Sequence, residues 1–260
     1  MSWTPGALAP APGAAPVRRM LAAQTRAELT LVLRNSEQVL LSLVIPLGLL
    51  VLLVTVPFIP VDGSLSRGGR ADFFVPGVLA LAVMSTAFTG QAIGVGFERQ
   101  YGVLKRLGAT PLPRSVLLLA KTLAVLVVEV LQVGVICLTG LALGWNPRGS
   151  VLAVLALVVL GTAAFSGLGL LLGGTLRGLT TLAAANLVWF VLLVLGGVLF
   201  PITAFGGAAD VLSLLPTAAL STGLRSVLAD GAGLPLRETL ALGVCAVLSL
   251  TAAAKLFRWE

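Results

Sequence analysis

Few side chains in this 260-residue sequence could do chemistry, and the most conspicuous is Glu129, which stands alone inside a long apolar run. The sequence has no histidine, which excludes His-dependent nucleophilic triads, haem ligation through His and most zinc sites. The two cysteines, Cys137 and Cys245, each lie within apolar sequence and are expected to be small hydrophobic residues rather than a disulfide or metal pair. We therefore predict no catalytic residue and no metal site in this chain.

Two roles are open for Glu129. An ionisable residue within a membrane span commonly contacts a transported ion or a polar partner. Glu129 either forms a hydrogen bond inside the protein, for example with Gln132, or contacts a cationic substrate. No basic residue lies at its depth in the same helix, since Lys121 is two turns away. A single carboxylate is a poor basis for a proton-coupled pump, so we expect the energy source of any transport to lie outside this chain.

ATP is not expected to bind to this chain either. A phosphate-binding loop of the type G-x-x-x-x-G-K-[ST] needs Gly before its lysine, whereas Lys105, Lys121 and Lys255 follow Leu, Ala and Ala. We therefore predict that the chain is not an enzyme and holds no cofactor of its own.

The elements that must position these residues are membrane helices. Hydrophobic residues make up 58% of the chain and charged residues only 10%, and the mean hydropathy is +1.07, which excludes a water-solvated domain. The predicted fold class is all-α, a polytopic membrane protein with six transmembrane helices. The six apolar stretches are Val39–Phe58, Phe73–Phe97, Val116–Leu143, Val151–Gly173, Leu179–Phe200 and Leu240–Leu256.

Three further segments complete the predicted organisation. Residues 1–16 indicate a disordered tail, and residues 17–38 an amphipathic helix in the membrane interface, with a frayed cytosolic leader as the alternative. Residues 39–260 form the six-helix domain. Within it, residues 201–239 are predicted to be extracellular and re-entrant, as two short helices broken at Pro216 before the last span. The alternative is a seventh span over residues 210–230.

The distribution of basic residues predicts the orientation. With the N-terminus inside, 12 of the 17 lysines and arginines lie on the cytoplasmic side. Both termini are therefore predicted to be cytoplasmic. Because the net charge of +7 resides largely in these segments, we expect contacts with membrane lipids and none with nucleic acid.

The loop of residues 98–115 is short, basic and predicted to be cytoplasmic. Glu98–Leu107 can form a helix with Leu104 and Leu107 as exposed apolar anchors and Arg99, Lys105 and Arg106 as a charged rim. Gly108 is expected to end this helix, and Thr110 with Pro111 to begin the next one. Such a surface helix could transmit a push from a cytoplasmic partner into the membrane. The alternative is an ordinary positively charged loop.

Three runs in the sequence carry a family resemblance: residues 75–81 (VPGVLAL), 97–112 (FERQYGVLKRLGATPL) and 196–201 (GGVLFP). From about Val17 onward the chain resembles the membrane subunits of type-2 ABC exporters, in particular the daunorubicin-exporter-like branch. The resemblance implies a coupling helix between the second and third spans, a homo- or heterodimer of permeases, and two separate ATPase subunits that bind ATP and magnesium. It also implies a bacterial plasma (inner) membrane location and export of an amphiphilic drug-like or lipid-like substrate.

The resemblance also suggests which residues couple to the ATPase and which line the substrate path. It assigns no role to Glu129, which is a candidate because it is an ionisable residue in an apolar span. The second and fifth spans would line the substrate path, although the same side chains could simply pack helix against helix. A stand-alone secondary carrier and a non-transporting scaffold remain as alternatives for the whole chain. The coupling candidates are Glu98, Arg99, Gly102, Leu104, Lys105, Arg106, Leu107 and Gly108; the substrate-path candidates are Ser85, Thr86, Phe88, Thr89, Gln91, Glu129, Asn186, Trp189 and Phe190.

Overall fold

The computed structural model describes residues 14–56 and 67–257, and all regular elements within these ranges are helical. Residues 1–13 of the predicted N-terminal tail lie outside the described residues. The α-helices are α1 Val17–Arg34, α2 Ser36–Thr55, α3 Arg67–Met84, α4 Gln91–Gln100, α5 Val103–Gly108, α6 Arg114–Ala142, α7 Val151–Thr175, α8 Gly178–Leu195, α9 Ala209–Leu212, α10 Pro216–Leu228 and α11 Leu236–Leu256.

Five helical segments of the described chain are long and apolar enough to cross a membrane, which confirms the prediction of an all-α polytopic membrane protein. They are Gly68–Gln100, Arg114–Ala142, Val151–Thr175, Gly178–Leu195 and Leu236–Leu256. Helix α2 is 20 residues long, but the apolar stretch that its described side chains form is the shorter Ser42–Thr55. The count of six spans therefore stays a prediction.

The first two helices meet at a sharp break. Helix α1 ends at Arg34, and Asn35 leaves the helical conformation with ψ of 73° before α2 begins at Ser36. At the far end of α2, the buried Arg70 side chain donates hydrogen bonds to the carbonyl oxygens of Leu53, Val54 and Val56. Because the last carbonyls of a helix have no partners within it, Arg70 ties the end of α2 to α3.

A π-helical turn, Ser85–Gly90, joins α3 to α4 in the middle of the second span. Within this turn Ser85, Thr86 and Thr89 are half-buried, whereas Ala87 and Phe88 are buried. Helix α7 lies directly against this turn, because a Cβ at Gly169 would be only 2.6 Å from the carbonyl oxygen of Phe88. One turn later, a Cβ at Gly173 would be 2.6 Å from the carbonyl oxygen of Ala92. These two glycines let the backbone of α7 approach the π-helical turn and α4 closely.

The fifth span is shorter than the sequence indicated. Helix α8 ends at Leu195 rather than Phe200, because Gly197 adopts a positive φ of 69° and turns the chain. The following segment contains a 3₁₀ helix, Ile202–Ala208, then α9 and α10. Pro216 is the first residue of α10, where its missing N–H costs no helical hydrogen bond. Helix α10 packs against α3, α7 and α11. Its dip into the membrane stays a prediction.

Candidate functional site

A partly open cavity lies between α1, α2, α6, α8 and the second span, and it has two adjoining chambers. The larger chamber has a volume of about 690 Å³ and is mostly apolar, with Ile45, Leu81, Phe97 and Trp189 in its walls. The smaller chamber is about 230 Å³ and contains charged side chains. Six residues line both chambers, so the two are continuous: Val32, Asn35, Thr86, Gly90, Gly94 and Val128. Gly94 keeps this space open, since a Cβ there would meet no atom within 4 Å.

Six of the substrate-path candidates converge on this cavity. The π-helical turn directs three of them into the larger chamber, and α8 supplies two more from the opposite side. Trp189 Nε1 donates a 2.9 Å hydrogen bond to Ser85 Oγ, which fixes the indole at the wall. Thr86 Oγ1 donates to Gln132 Oε1 at 3.0 Å. The candidates in the larger chamber are Ser85, Thr86, Thr89, Asn186 and Trp189, and Gln91 lines the smaller one.

Three of the substrate-path candidates do not line this cavity. Phe88 is 2% exposed and packs in the hydrophobic core. Phe190 is 57% exposed on the outer surface of α8. Neither residue faces the space that Ser85 and Trp189 enclose.

Glu129 is the third of these residues, and it is completely buried between α6 and α7. The Thr162 hydroxyl on α7 donates a hydrogen bond to Glu129 Oε2. The proposed partner Gln132 instead donates to the carbonyl oxygen of Ser42 at 3.1 Å and accepts from Thr86. With no exposed surface, Glu129 cannot touch a substrate in this conformation. Its environment supports the role of an internal hydrogen-bonding group, although with a different partner from the one expected.

The smaller chamber holds a set of charges that the sequence did not reveal. Lys121 Nζ on α6 lies 2.8 Å from Glu28 Oε2 on α1 and 2.7 Å from Glu98 Oε1 on α4. We call Glu28, Glu98 and Lys121 the ionic cluster. A lysine inside an apolar span needs a carboxylate partner, and that rule could have signalled the cluster. The partners themselves are 93 and 23 residues away in sequence, so no local pattern identifies them.

The ionic cluster changes the role of Glu98. We expected its side chain at an ATPase-coupling surface, but its carboxylate turns inward to Lys121, and its Oε2 atom is buried. Glu98 therefore connects the base of α4 to α1 and α6 instead of facing a partner.

The predicted continuous helix Glu98–Leu107 is two helices in the structure. Helix α4 ends at Gln100, and Gly102 has a positive φ of 71°, which starts the separate short helix α5. The next helix begins at Arg114, preceded by Pro113, and not at Thr110 or Pro111. Thr110 instead donates its hydroxyl to the carbonyl oxygen of Leu107 at 2.6 Å.

Leu104 is not an exposed anchor. It is fully buried in a cluster with Val95, Leu117, Leu170 and Phe257, which come from α4, α6, α7 and the end of α11. Arg99 adds to this junction by donating hydrogen bonds to the carbonyl oxygens of Gly174 and Leu176. Helix α5 is therefore fixed to the ends of several spans, because its apolar side faces inward.

The opposite side of α5 is exposed and combines apolar and basic groups. We call Tyr101, Val103, Lys105 and Arg106 the α5 outer face. Tyr101 is 68% exposed and Val103 is 40% exposed, while Leu107 and Gly102 are half-buried at its edge and Gly108 is exposed at its end. The Tyr101 ring stacks on Phe97 with centroids 6.1 Å apart, and Phe97 lines the larger chamber. The stacked rings of Tyr101 and Phe97 therefore connect the α5 outer face to the larger chamber.

Comparison with known proteins gives one family. The model of the family described as ABC-2 type transporter matches residues 20–229, which include the described elements from within α1 through α10. No curated protein matches the chain.

Proposed function

Because the chain belongs to the ABC-2 type transporter family and is its membrane-embedded permease component, we propose that it forms half of an exporter driven by separate ATPase subunits. Two permease chains and two ATPase subunits would make the complete complex. The ATPase subunits would bind ATP and magnesium, and this chain would supply the route across the membrane. The proposed cargo is an amphiphilic drug-like or lipid-like molecule.

The observation that carries this proposal is the position of α5. Its inner side is buried among the ends of α4, α6, α7 and α11, and its outer face is exposed. An ATPase that pushes on the α5 outer face would therefore move α4 and α6 directly. Both helices line the cavity, so closure of the ATPase pair would alter the shape of the substrate chamber.

The cavity supports an amphiphilic cargo. Its combined walls are apolar over most of the larger chamber, with Trp189, Ser85 and Thr86 as polar or amphipathic groups. A volume of about 690 Å³ falls within the range of pockets that hold drug-sized molecules. Such a pocket suits a molecule with an apolar body and a small polar part.

The proposed orientation rests on the distribution of charge, and the proposed second permease chain rests on exposed apolar surface. We place α1, α5 and both termini on the cytoplasmic side because most lysines and arginines lie there. Leu187, Phe190 and Val191 form exposed apolar surface on α8, adjacent to the cavity side of that helix. We propose that lipid and the second permease chain cover this surface.

The test is reconstitution into vesicles with and without a separately purified candidate ABC ATPase subunit. We expect ATP-dependent accumulation of a fluorescent amphiphile only when both proteins are present. Gly94→Leu should fold normally, because space is open at Gly94, but should block transport by filling the cavity. The matched control is Gly243→Leu on α11, where a Cβ also meets no atom within 4 Å and which lines neither chamber of this cavity. Transport by the permease alone, driven by an ion gradient, would contradict the proposal.

A further inference from the structure

Another cavity lies where the last turns of α4 and α11 meet the first turns of α6 and α8. It has a volume of about 1230 Å³ and is partly open to its surroundings. None of the described residues that line it is acidic, and we call it the basic pocket after its four cationic side chains: Arg99, Arg114, Arg177 and Lys255. Like charges gathered around one concave surface repel one another, so this arrangement favours a bound anion.

Two of these cations are oriented by backbone carbonyl groups. Arg99 Nη1 donates hydrogen bonds of 3.3 and 3.2 Å to two carbonyl oxygens at the end of α7. Arg114 Nη1 donates a 3.3 Å hydrogen bond to the carbonyl oxygen of Phe257. These neutral acceptors fix the guanidinium groups without cancelling their charge. The neighbouring carboxylate of Glu98 is engaged elsewhere, at 2.7 Å from Lys121.

Exposed aliphatic side chains adjoin the other two cations. Arg177 directly precedes α8, Lys255 lies in the last turn of α11, and both are exposed. Leu179 is 71% exposed, Leu256 is 56% exposed, and both line the basic pocket. Helices α8 and α11 are long and apolar enough to cross a membrane, so these leucines lie at the ends of candidate spans. The basic pocket therefore presents cations and aliphatic surface side by side.

We propose that the basic pocket binds the phosphate-bearing headgroup of an anionic phospholipid, whose acyl chain lies along Leu179 and Leu256. Guanidinium groups form paired, charge-assisted hydrogen bonds with phosphate oxygens. Basic pockets between the cytoplasmic ends of membrane helices attract anionic headgroups. A soluble phosphate compound would leave the two leucines exposed, and for this reason a lipid fits the pocket better. The lipid is a bound partner and not the cargo, so the inference goes beyond the proposed function and uses only its orientation.

The basic pocket is connected to the junction beneath α5. Phe257 lines the pocket and also belongs to the apolar cluster that buries Leu104 of α5. A lipid bound to the four cations would connect the ends of α4 and α11 with the starts of α6 and α8. Since such a ligand binds only the folded arrangement of these helices, it should stabilise the folded protein.

Thermal unfolding of the purified permease, freed of lipid in a neutral detergent, tests the inference without any ATPase. The probes are phosphatidylglycerol and phosphatidylcholine with identical acyl chains, added in mixed micelles. We expect phosphatidylglycerol to raise the unfolding temperature by about 5 °C and phosphatidylcholine to leave it nearly unchanged. Raising the salt concentration from about 0.05 M to about 0.5 M should remove most of this difference, because exposed charges are then screened.

Two double variants with the same net charge locate the site. Arg177→Gln, Lys255→Gln removes two exposed cations of the basic pocket, which should preserve the fold and weaken the apparent affinity for phosphatidylglycerol about tenfold or more. Arg148→Gln, Arg237→Gln removes two exposed cations that do not line the pocket and should keep the full shift. Without added lipid, both variants should unfold at the temperature of the unmodified protein.

Equal shifts from the two lipids in the unmodified protein, or a difference that survives high salt, would overturn the inference. An undiminished phosphatidylglycerol shift in folded Arg177→Gln, Lys255→Gln would also overturn it, because the site would then lie elsewhere. If that variant also failed to co-purify with the ATPase, the pocket would belong to the ATPase interface instead. An equal shift from glycerol 3-phosphate alone would make the ligand a soluble phosphate compound and contradict the assignment to a lipid.

Discussion

Lys121 Nζ on α6 lies 2.7 Å from Glu98 Oε1 at the base of α4, and this pair connects the two helices that flank α5. Glu28 on α1 shares the same ammonium group at 2.8 Å. The first helix of the chain, the second span and the third span are thus joined at one point beside the cavity. Movement of α5 cannot displace α4 without acting on this junction.

Removal of the Lys121 ammonium group should therefore destabilise the protein. Lys121→Met leaves two neighbouring carboxylates without their cation, and we expect the free energy of unfolding to fall by about 3–5 kcal/mol. The triple variant Lys121→Met, Glu28→Gln, Glu98→Gln should recover most of this loss because no buried charge remains. Thermal unfolding in detergent measures both. The matched control is Lys255→Met, since Lys255 is exposed near the same end of the bundle. Equal stability of Lys121→Met and Lys255→Met would contradict the assigned junction.

Glu129 should tolerate neutralisation. Glu129→Gln keeps the size of the side chain and can still interact with Thr162, so we expect unfolding temperature and export to stay close to those of the unmodified protein. Thr162→Val should lower the free energy of unfolding by about 1–3 kcal/mol because Glu129 Oε2 loses its donor. Differential unfolding and vesicle transport check the two variants. A selective loss of cation export in folded Glu129→Gln would restore the role of Glu129 as a substrate contact.

Arg225 should be required for the turn after α8. Its Nε donates to the carbonyl oxygen of Phe73 at 3.2 Å, its Nη2 to that of Val198 at 3.1 Å, and its guanidinium lies 4.0 Å from the centre of the Phe73 ring. We expect Arg225→Met to lower the free energy of unfolding by about 1–3 kcal/mol, and Arg225→Lys to recover only part of it. Arg148→Met, at an exposed position, is the control for thermal unfolding. An unchanged unfolding temperature in Arg225→Met would show that these bonds do not stabilise the turn.

The proposed orientation predicts labelling from opposite sides. After replacement of Cys137 and Cys245 by Ala, single cysteines are placed at the exposed positions Ala15 and Ala232. With six spans, a membrane-impermeant thiol reagent added to intact cells should label Ala232→Cys, and Ala15→Cys only after permeabilisation. The six-span topology has an odd number of crossings between the two positions, so they lie on opposite sides of the membrane. Labelling of both from the same side would require an even number and would contradict that topology.

The sequence was informative where the signal was local. Apolar length located the spans, and the pattern of residues 98–115 located the segment that forms α5. Prediction from the sequence failed where contacts between distant residues determine the environment of a side chain. Leu104 was expected to be exposed because Lys105 and Arg106 flank it, but Gly102 breaks the helix and turns Leu104 into the junction.

The residues of the cavity also divide into those that local sequence identified and those that it missed. Ser85, Thr86 and Thr89 could be nominated because hydroxyl groups are conspicuous in an apolar span. The burial of Phe88 could not be predicted, because a π-helical turn changes which side chains share a face and no residue type in Ser85–Gly90 indicates that turn. The ionic cluster was missed because Glu28 and Lys121 are distant in sequence and meet only when α1 packs on α6.

The central claim is that an ATPase acts on this permease through the α5 outer face, and the most direct test compares Val103→Asp with its neighbour Leu104→Asp. Val103 is 40% exposed, so Val103→Asp should leave the unfolding temperature unchanged, whereas Leu104→Asp should destabilise the junction because Leu104 is fully buried. Val211→Asp, at an exposed position on α9, is the matched control.

The decisive measurement is co-purification of the ATPase with each variant, together with ATP hydrolysis in vesicles. We predict that folded Val103→Asp loses about tenfold or more of the bound ATPase and loses permease-dependent hydrolysis, since an interface centre rarely accepts a buried charge. Val211→Asp should retain both. Full ATPase binding and hydrolysis in Val103→Asp, and also in the charge-reversed pair Lys105→Glu, Arg106→Glu, would contradict coupling through α5.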